Sequence, residues 1–171
     1  MFSSVSRNIT NKFKIDQGYT NSINQIIKET FNNPIHISSY IGGTKTNSRT
    51  IEHQVSPINN NKTICSYSNL IDTQLDKYLL EYPKYKSSIA SLSNKDISNI
   101  FRKSADLLTN KYREQMVAYT VLSQGKSLYE AEIDAVCELG DFWNFNVDYK
   151  KDILAKQPIS GNNVFNKSLY R

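Results

Sequence analysis

Apolar residues recur at helical spacing through most of the second half of the chain, and residues 127–146 show the pattern best. At about 100° per residue, acidic residues collect on one side of this segment and apolar residues on the other. The acidic side holds Glu130, Asp134, Glu138 and Asp141, and the apolar side holds Leu128, Tyr129, Ala135, Val136, Leu139 and Trp143. Ser127 and Glu130 form a capping-box pattern at its start. The segment is therefore predicted to be an amphipathic helix.

The same spacing predicts four further helices, at residues 22–31, 70–82, 94–108 and 111–123. The first should end before Pro34, and Pro83 should end or kink the second. Gly125 follows the last and suits a left-handed position after a helix.

Strands are predicted by alternation of apolar and polar residues. Residues 35–39 and 49–55 alternate on either side of a turn rich in Gly, Thr and Asn, which predicts one β-hairpin. The asparagines at 59–61 read as a loop, and an extended tail should follow Pro158, ending in a strand that carries Val164, Phe165, Leu169 and Tyr170. The predicted fold class is α+β, mostly helical, with a β-hairpin and about five helices. Its parts are residues 18–68, with the first helix and the hairpin, and residues 69–171, the helical segment and tail.

Glu132 is the main candidate for a functional side chain, because it falls within the apolar stripe of the 127–146 helix. No Lys or Arg lies three or four residues away to pair with it. A buried carboxylate needs partners, so another segment or a ligand must supply them. Spacing alone favours a structural Glu that accepts hydrogen bonds from backbone N–H groups.

The positive charge of the chain is concentrated at its beginning. Arg7, Lys12 and Lys14 account for +3 of the net +5 and have no acid among the first 15 residues, which leaves +2 for the remainder. That remainder is close to neutral, and no basic stripe interleaved with aromatic residues stands out, so nucleic-acid binding is disfavoured.

Residues 1–17 have the composition of a mitochondrial targeting segment. Apolar residues at helical spacing, serines and basic residues occur there without an acid before Asp16. The alternative is a weakly basic tail. No apolar run approaches the ~20 residues that a membrane span needs, so no membrane partner is expected.

Cysteine and glycine usage predicts no catalytic or metal-binding residue. Cys65 and Cys137 lie far apart without clustered Cys or His, and His36 and His53 have no sequence link to Cys137. Both thiols are interpreted as structural. No glycines form a phosphate-binding loop after a strand.

Short phrases spread over residues 41–171 resemble, in the same order, the early part of 1-pyrroline-5-carboxylate dehydrogenase, a family of the aldehyde dehydrogenase superfamily. Around the 127–146 helix they are Gln124-Gly125-Lys126, Glu130-Ala131-Glu132-Ile133-Asp134-Ala135, Glu138-Leu139, Asp141-Phe142-Trp143 and Phe145-Asn146. The flanking ones are Ile41-Gly42-Gly43-Thr44-Lys45, Gln54-Val55-Ser56-Pro57, Ile100-Phe101, Lys103, Ala105-Asp106-Leu107-Leu108 and Gln157-Pro158-Ile159-Ser160. The fold implied is an incomplete N-terminal fragment of an aldehyde-dehydrogenase-like fold.

The resemblance implies what such a fragment contains and lacks. The family oxidises glutamate semialdehyde, the open form of pyrroline-5-carboxylate, to glutamate with NAD in the mitochondrial matrix, using a Cys nucleophile and a Glu base that lie further along. A chain matching about its first third is expected to be non-catalytic and to bind no NAD by itself. Glu132 matches a position beside the family's substrate pocket, where a carboxylate meets the substrate ammonium. Gly140 replaces a larger apolar residue, which predicts a small packing defect.

Three hypotheses of function follow. The first is a truncated, inactive relative of the dehydrogenase, such as a relic of a duplicated gene. The second is an interaction module that binds full-length dehydrogenase subunits through its hairpin or exposed helices. The third, which the charge distribution disfavours, is a small basic nucleic-acid binder.

Overall fold

A computed structural model describes Ile9, residues 13–46 and residues 50–169 of the chain. The first half holds α1 (Gln17–Asn32), β1 (Ile35–Ile37), β2 (Ser39–Ile41), β3 (Thr44–Thr46), β4 (Ile51–Ser56) and β5 (Asn59–Ser68). The second half holds α2 (Asp72–Ala90), α3 (Asn94–Asp106), a π-helical turn (Leu107–Lys111), α4 (Arg113–Gln124), α5 (Leu128–Glu132), a π-helical segment (Ile133–Glu138) and α6 (Leu139–Ala155). The α+β, mostly helical class is confirmed.

Helix boundaries follow the capping residues of the sequence. Asp16 caps α1 by accepting the N–H of Tyr19 at 2.8 Å, so this helix begins five residues before the predicted start. Ser127 and Glu130 form the predicted capping box of α5. Gly125 ends α4 with a φ of +69°, a conformation that glycine adopts without steric cost.

Pro83 does not end the second helix, because α2 continues through it to Ala90. Proline cannot donate a hydrogen bond to the carbonyl four residues earlier, that of Leu79. None of the residues of α2 is buried, so water can reach that carbonyl and the cost of the missing bond is small.

The predicted single hairpin is wrong, because its two halves belong to different pairings. β1 pairs in parallel with β5, and β4 pairs with β5 in antiparallel register, giving the order β1-β5-β4. β2 and β3 form their own hairpin across Gly42 and Gly43, whose φ values are +54° and +80°. The asparagines predicted as a loop open β5, since pairing with β4 outweighs their low strand propensity.

One core joins α1 to the second half of the chain, and a smaller one joins the sheet to α4. The larger cluster comprises Ile23, Leu108, Val117, Ala118, Ala131 and Val136. The smaller comprises Ile64, Cys65 and Leu122. Helix α4 therefore lies at the centre of the described structure.

The π-helical segment between α5 and α6 changes which residues face the core. A wider turn takes in an extra residue and rotates everything after it relative to a regular helix. Asp141, predicted on the polar side, is consequently only 2% exposed. Gly140 is buried as well, and a Cβ atom there would lie 2.9 Å from Ile9 Cδ1 and from Thr109 Cγ2. The predicted packing defect at Gly140 is wrong, because neighbouring side chains already fill the space.

The tail after α6 is extended as predicted, but its last strand does not form. Val164 makes only an isolated bridge to Gly161, and Phe165 and Leu169 are exposed. Tyr170 lies outside the described residues. Within the described ranges, none of the helices has the length and apolar character of a membrane span.

Candidate functional site

The carboxylate of Glu132 is fully buried and is held by side chains from three parts of the chain. Arg113 Nη2 lies 2.5 Å from Glu132 Oε1, and the hydroxyl of Tyr19 donates to Oε2. The thiol of Cys137 donates to Oε1 over 3.5 Å. We call these four residues the Glu132 cluster.

Local structure explains why these side chains meet. Tyr19 lies in the first turn of α1, where Asp16 holds its N–H, and Arg113 is the first residue of α4. Cys137 follows Glu132 by five residues, and the π-helical segment brings residues five apart onto the same face. The cluster therefore ties α1 and α4 to the α5–α6 helix.

Aromatic rings cover the guanidinium of Arg113. Its Cζ lies 5.7 Å from the ring centre of Tyr19 and 6.0 Å from that of Phe13, within the range of cation–π attraction. The Nε of Arg113 is buried and has no hydrogen-bond partner among the described residues. The arginine is thus enclosed, with 24% of its side chain exposed.

Burial and the carboxylate set the protonation states of the neighbours. Burial, and then the hydrogen bond to Glu132, raise the pKa of Tyr19 above its ordinary value of 10.0. Burial and the charge of Glu132 raise the pKa of Cys137 from 9.0 to about 12. Burial alone would lower the pKa of Arg113, but its bond to Glu132 outweighs this and raises it. Near neutral pH the cluster holds an arginine cation, a tyrosine hydroxyl and a thiol around the glutamate.

The need for a distant partner was predictable, but the identity of that partner was not. Arg113 and Tyr19 lie 19 and 113 residues from Glu132, and no local spacing links them. The partners that the structure describes are side chains and not the backbone amides that spacing favoured. The role of Glu132 toward a substrate stays a prediction.

The other candidate residues lie apart from the cluster. His36 and His53 flank Ser66 on the strands either side of β5, and His36 Nδ1 lies 2.9 Å from Ser66 Oγ. Cys65, on the same strand, is a free buried thiol whose pKa burial raises. Among the described residues, no group of three or more His, Cys, Asp or Glu is placed to hold a metal ion.

Lys126 and Asp106, which fall within the matching phrases, make local contacts. Lys126 pairs with Asp134, and Asp106 accepts from Lys103 at 3.0 Å. The hydrogen bond and charge of that lysine lower the pKa of Asp106. Neither residue touches the Glu132 cluster through these contacts.

Sequence comparison relates the chain to one enzyme. No protein-family model matches the chain. The delta-1-pyrroline-5-carboxylate dehydrogenase of Emericella nidulans, a mitochondrial protein, is 33% identical over 141 residues, which are 82% of this chain and 24% of that protein. The human mitochondrial enzyme is 30% identical over 141 residues, 79% of this chain and 24% of that protein. The chain thus spans about a quarter of the length of the curated relatives it matches.

Solved structures give the same relation. The delta-pyrroline-5-carboxylate dehydrogenase of Mycobacterium tuberculosis, bound with NAD, superposes with a TM-score of 0.80 at 32% identity, over 87% of this chain and 28% of that one. The Thermus 1-pyrroline-5-carboxylate dehydrogenase with bound NAD also reaches 0.80, and at 17% identity it supports the fold alone. Over a partial segment of that enzyme's length, the chain is therefore a relative of 1-pyrroline-5-carboxylate dehydrogenase, of the aldehyde dehydrogenase superfamily.

Proposed function

We propose that these 171 residues form a structural segment of the dehydrogenase fold and do not oxidise pyrroline-5-carboxylate by themselves. The observation that carries the proposal is the chemistry of the Glu132 cluster. Its carboxylate is already bonded to Arg113 and Tyr19, and its one thiol is held in the protonated form. We likewise expect no NAD binding by these residues alone.

The thiols of the chain are poor nucleophiles, which supports this proposal. Aldehyde oxidation through a covalent intermediate needs a thiolate. With a pKa of about 12, Cys137 is ionised to about one part in 10⁵ at pH 7. The pKa of Cys65 is also raised by burial. We therefore expect neither residue to supply the attacking thiolate.

A direct assay tests the proposal. The purified chain is mixed with NAD and pyrroline-5-carboxylate, and NADH formation is followed by absorbance, with the human relative as the positive control. We expect no rate above that of a variant carrying both Cys65→Ala and Cys137→Ala. Turnover that those substitutions abolish would contradict the proposal.

A second candidate function is binding to full-length dehydrogenase subunits, which the surface of α2 favours. This helix has no buried residue, and it exposes large apolar side chains to solvent. These are Leu75, Leu79, Leu80, Tyr82 and Ile89. Apolar surface grouped in this way is typical of interaction sites.

Co-purification with a tagged full-length relative tests this candidate. We expect retention of the native chain and its loss in a variant with Leu79→Glu and Leu80→Glu. Lys84→Glu on the same helix is the matched control for added negative charge. A monodisperse monomer that the relative does not retain would count against the interaction.

Two finer expectations belong to the same proposal. We propose that Glu132 could bind the ammonium group of the substrate only if Arg113 and Tyr19 released its carboxylate oxygens, so glutamate should not bind the chain measurably.

We also propose that the protein acts in the mitochondrial matrix, because the human and Emericella nidulans relatives are mitochondrial. A fluorescent fusion of residues 1–17 that stays in the cytosol would oppose this location.

A further inference from the structure

Ile9 lies within the segment predicted to be a targeting sequence, yet it contacts the body of the protein. Its backbone N–H lies 3.2 Å from Asp141 Oδ1 and 3.3 Å from Oδ2, across 132 residues of sequence. These two distances describe one bifurcated hydrogen bond, in which the amide of Ile9 donates to both carboxylate oxygens of Asp141. Such bonds to a charged acceptor are stronger than neutral ones.

The carboxylate of Asp141, which accepts the hydrogen bond from Ile9, is buried. Asp141 is only 2% exposed, because the π-helical segment has turned it away from the polar face of the helix. A carboxylate withdrawn from water has to be compensated by hydrogen-bond donors. The amide of Ile9 is one such donor, and it arrives from the beginning of the chain.

Gly140 provides the space for the side chain of Ile9. A Cβ atom at this position would lie 2.9 Å from Ile9 Cδ1 and 2.9 Å from Thr109 Cγ2, closer than side-chain carbons normally approach. Inside a helix, glycine lowers the stability more than any other residue except proline. Its presence in α6 is explained by the close approach of the isoleucine.

We propose that Gly140, Asp141 and Thr109 form an intramolecular docking site for Ile9, and that Ile9 stays attached in the mature protein. Any proteolytic processing of a targeting sequence would then cut on the N-terminal side of Ile9. Cleavage after Ile9 would remove a hydrogen-bond donor to the buried carboxylate of Asp141. It would also expose the surface of Gly140 that Ile9 covers. The docking does not depend on whether the chain is catalytic.

Amide hydrogen exchange on the full chain tests the docking. We expect the Ile9 amide to exchange at least about tenfold more slowly than an unstructured amide, and to lose that protection in Asp141→Ala, which removes the acceptor oxygens. Asp134→Ala, at an exposed acid earlier in the same helical run, should leave the protection intact. Exchange of Ile9 at the unstructured rate in the native chain would overturn the proposal.

A pair of substitutions tests the fit independently. Gly140→Ala should lower the melting temperature although alanine is the better helix former, and the drop should shrink in an Ile9→Ala background. Equal drops in melting temperature in both backgrounds would contradict the contact.

The N-terminal residue of the protein isolated from cells gives a last test. A chain that begins at or before Ile9 agrees with docking, and a chain that begins after Ile9 refutes it.

Discussion

Replacing Arg113 by methionine would remove the charge opposite Glu132 and keep most of the apolar stem. The glutamate is fully buried and cannot move into water without unfolding the contact between α1, α4 and α5. Arg113→Met therefore leaves a carboxylate inside the protein without its cation. The expected result is a large loss of folding free energy.

The magnitude follows from the burial of the pair. Breaking a buried ion pair by removing one partner costs about 3–5 kcal/mol. The Arg113 side chain is 24% exposed, so water screens part of the interaction and the lower value of about 3 kcal/mol is expected. For a chain of this length, that is a fall in melting temperature of about 6–12 °C.

Urea denaturation at pH 7 measures the effect, and Arg102→Met is the matched control. Arg102 pairs with Asp148 at 2.7 Å, but the two side chains are 44% and 50% exposed. An exposed pair of this kind contributes about 0–1 kcal/mol. Equal losses in the two variants would refute the reasoning from burial. Adding Glu132→Gln to Arg113→Met should recover part of the stability, since no unpaired charge then remains.

Three further predictions concern single side chains. Tyr19→Phe should cost about 1.5–3 kcal/mol in the same urea assay, because its hydroxyl donates to a buried carboxylate. Tyr85→Phe, which removes an exposed hydroxyl bonded to Glu81 at 3.1 Å, should cost less. Cys137, whose pKa is raised from 9.0 to about 12, contributes stability that is fully present below pH 9 and is lost as pH rises toward 12. Stability should therefore fall over that range, less steeply in Cys137→Ala, and an identical pH profile would contradict the assignment. Gly42→Ala should lower the melting temperature more than Gly43→Ala: both have positive φ, but only at Gly42 would the new methyl group collide with the ring of Tyr85.

Local patterns in the sequence were sufficient for most of the helices. Ser127 and Glu130 marked the start of α5, and Gly125 marked the end of α4, because capping depends on groups within a few residues. The strands were predicted less well. Their pairing with β5 joins residues about 30 positions apart for β1, and alternation says nothing about which strand is the neighbour.

For the candidate site, the sequence predicted the burial of Glu132 but not the residues that bind it. The position of Glu132 in an apolar stripe showed that its carboxylate would be buried and would need a partner. Nothing within one helical turn pointed to Arg113 or Tyr19. Asp141 was placed on the wrong face because a regular helical period cannot anticipate a π-helical segment.

The amino-acid sequence by itself determined where the helices begin, that Glu132 would be buried, and which enzyme the chain resembles, because these depend on local chemistry and on residue order. Only the tertiary structure decided which groups compensate the two interior carboxylates. Arg113 and Tyr19 reach Glu132, and Ile9 reaches Asp141, from positions that chain folding alone brings together. The physical reason is that a buried charge requires a partner but does not specify which part of the chain supplies it.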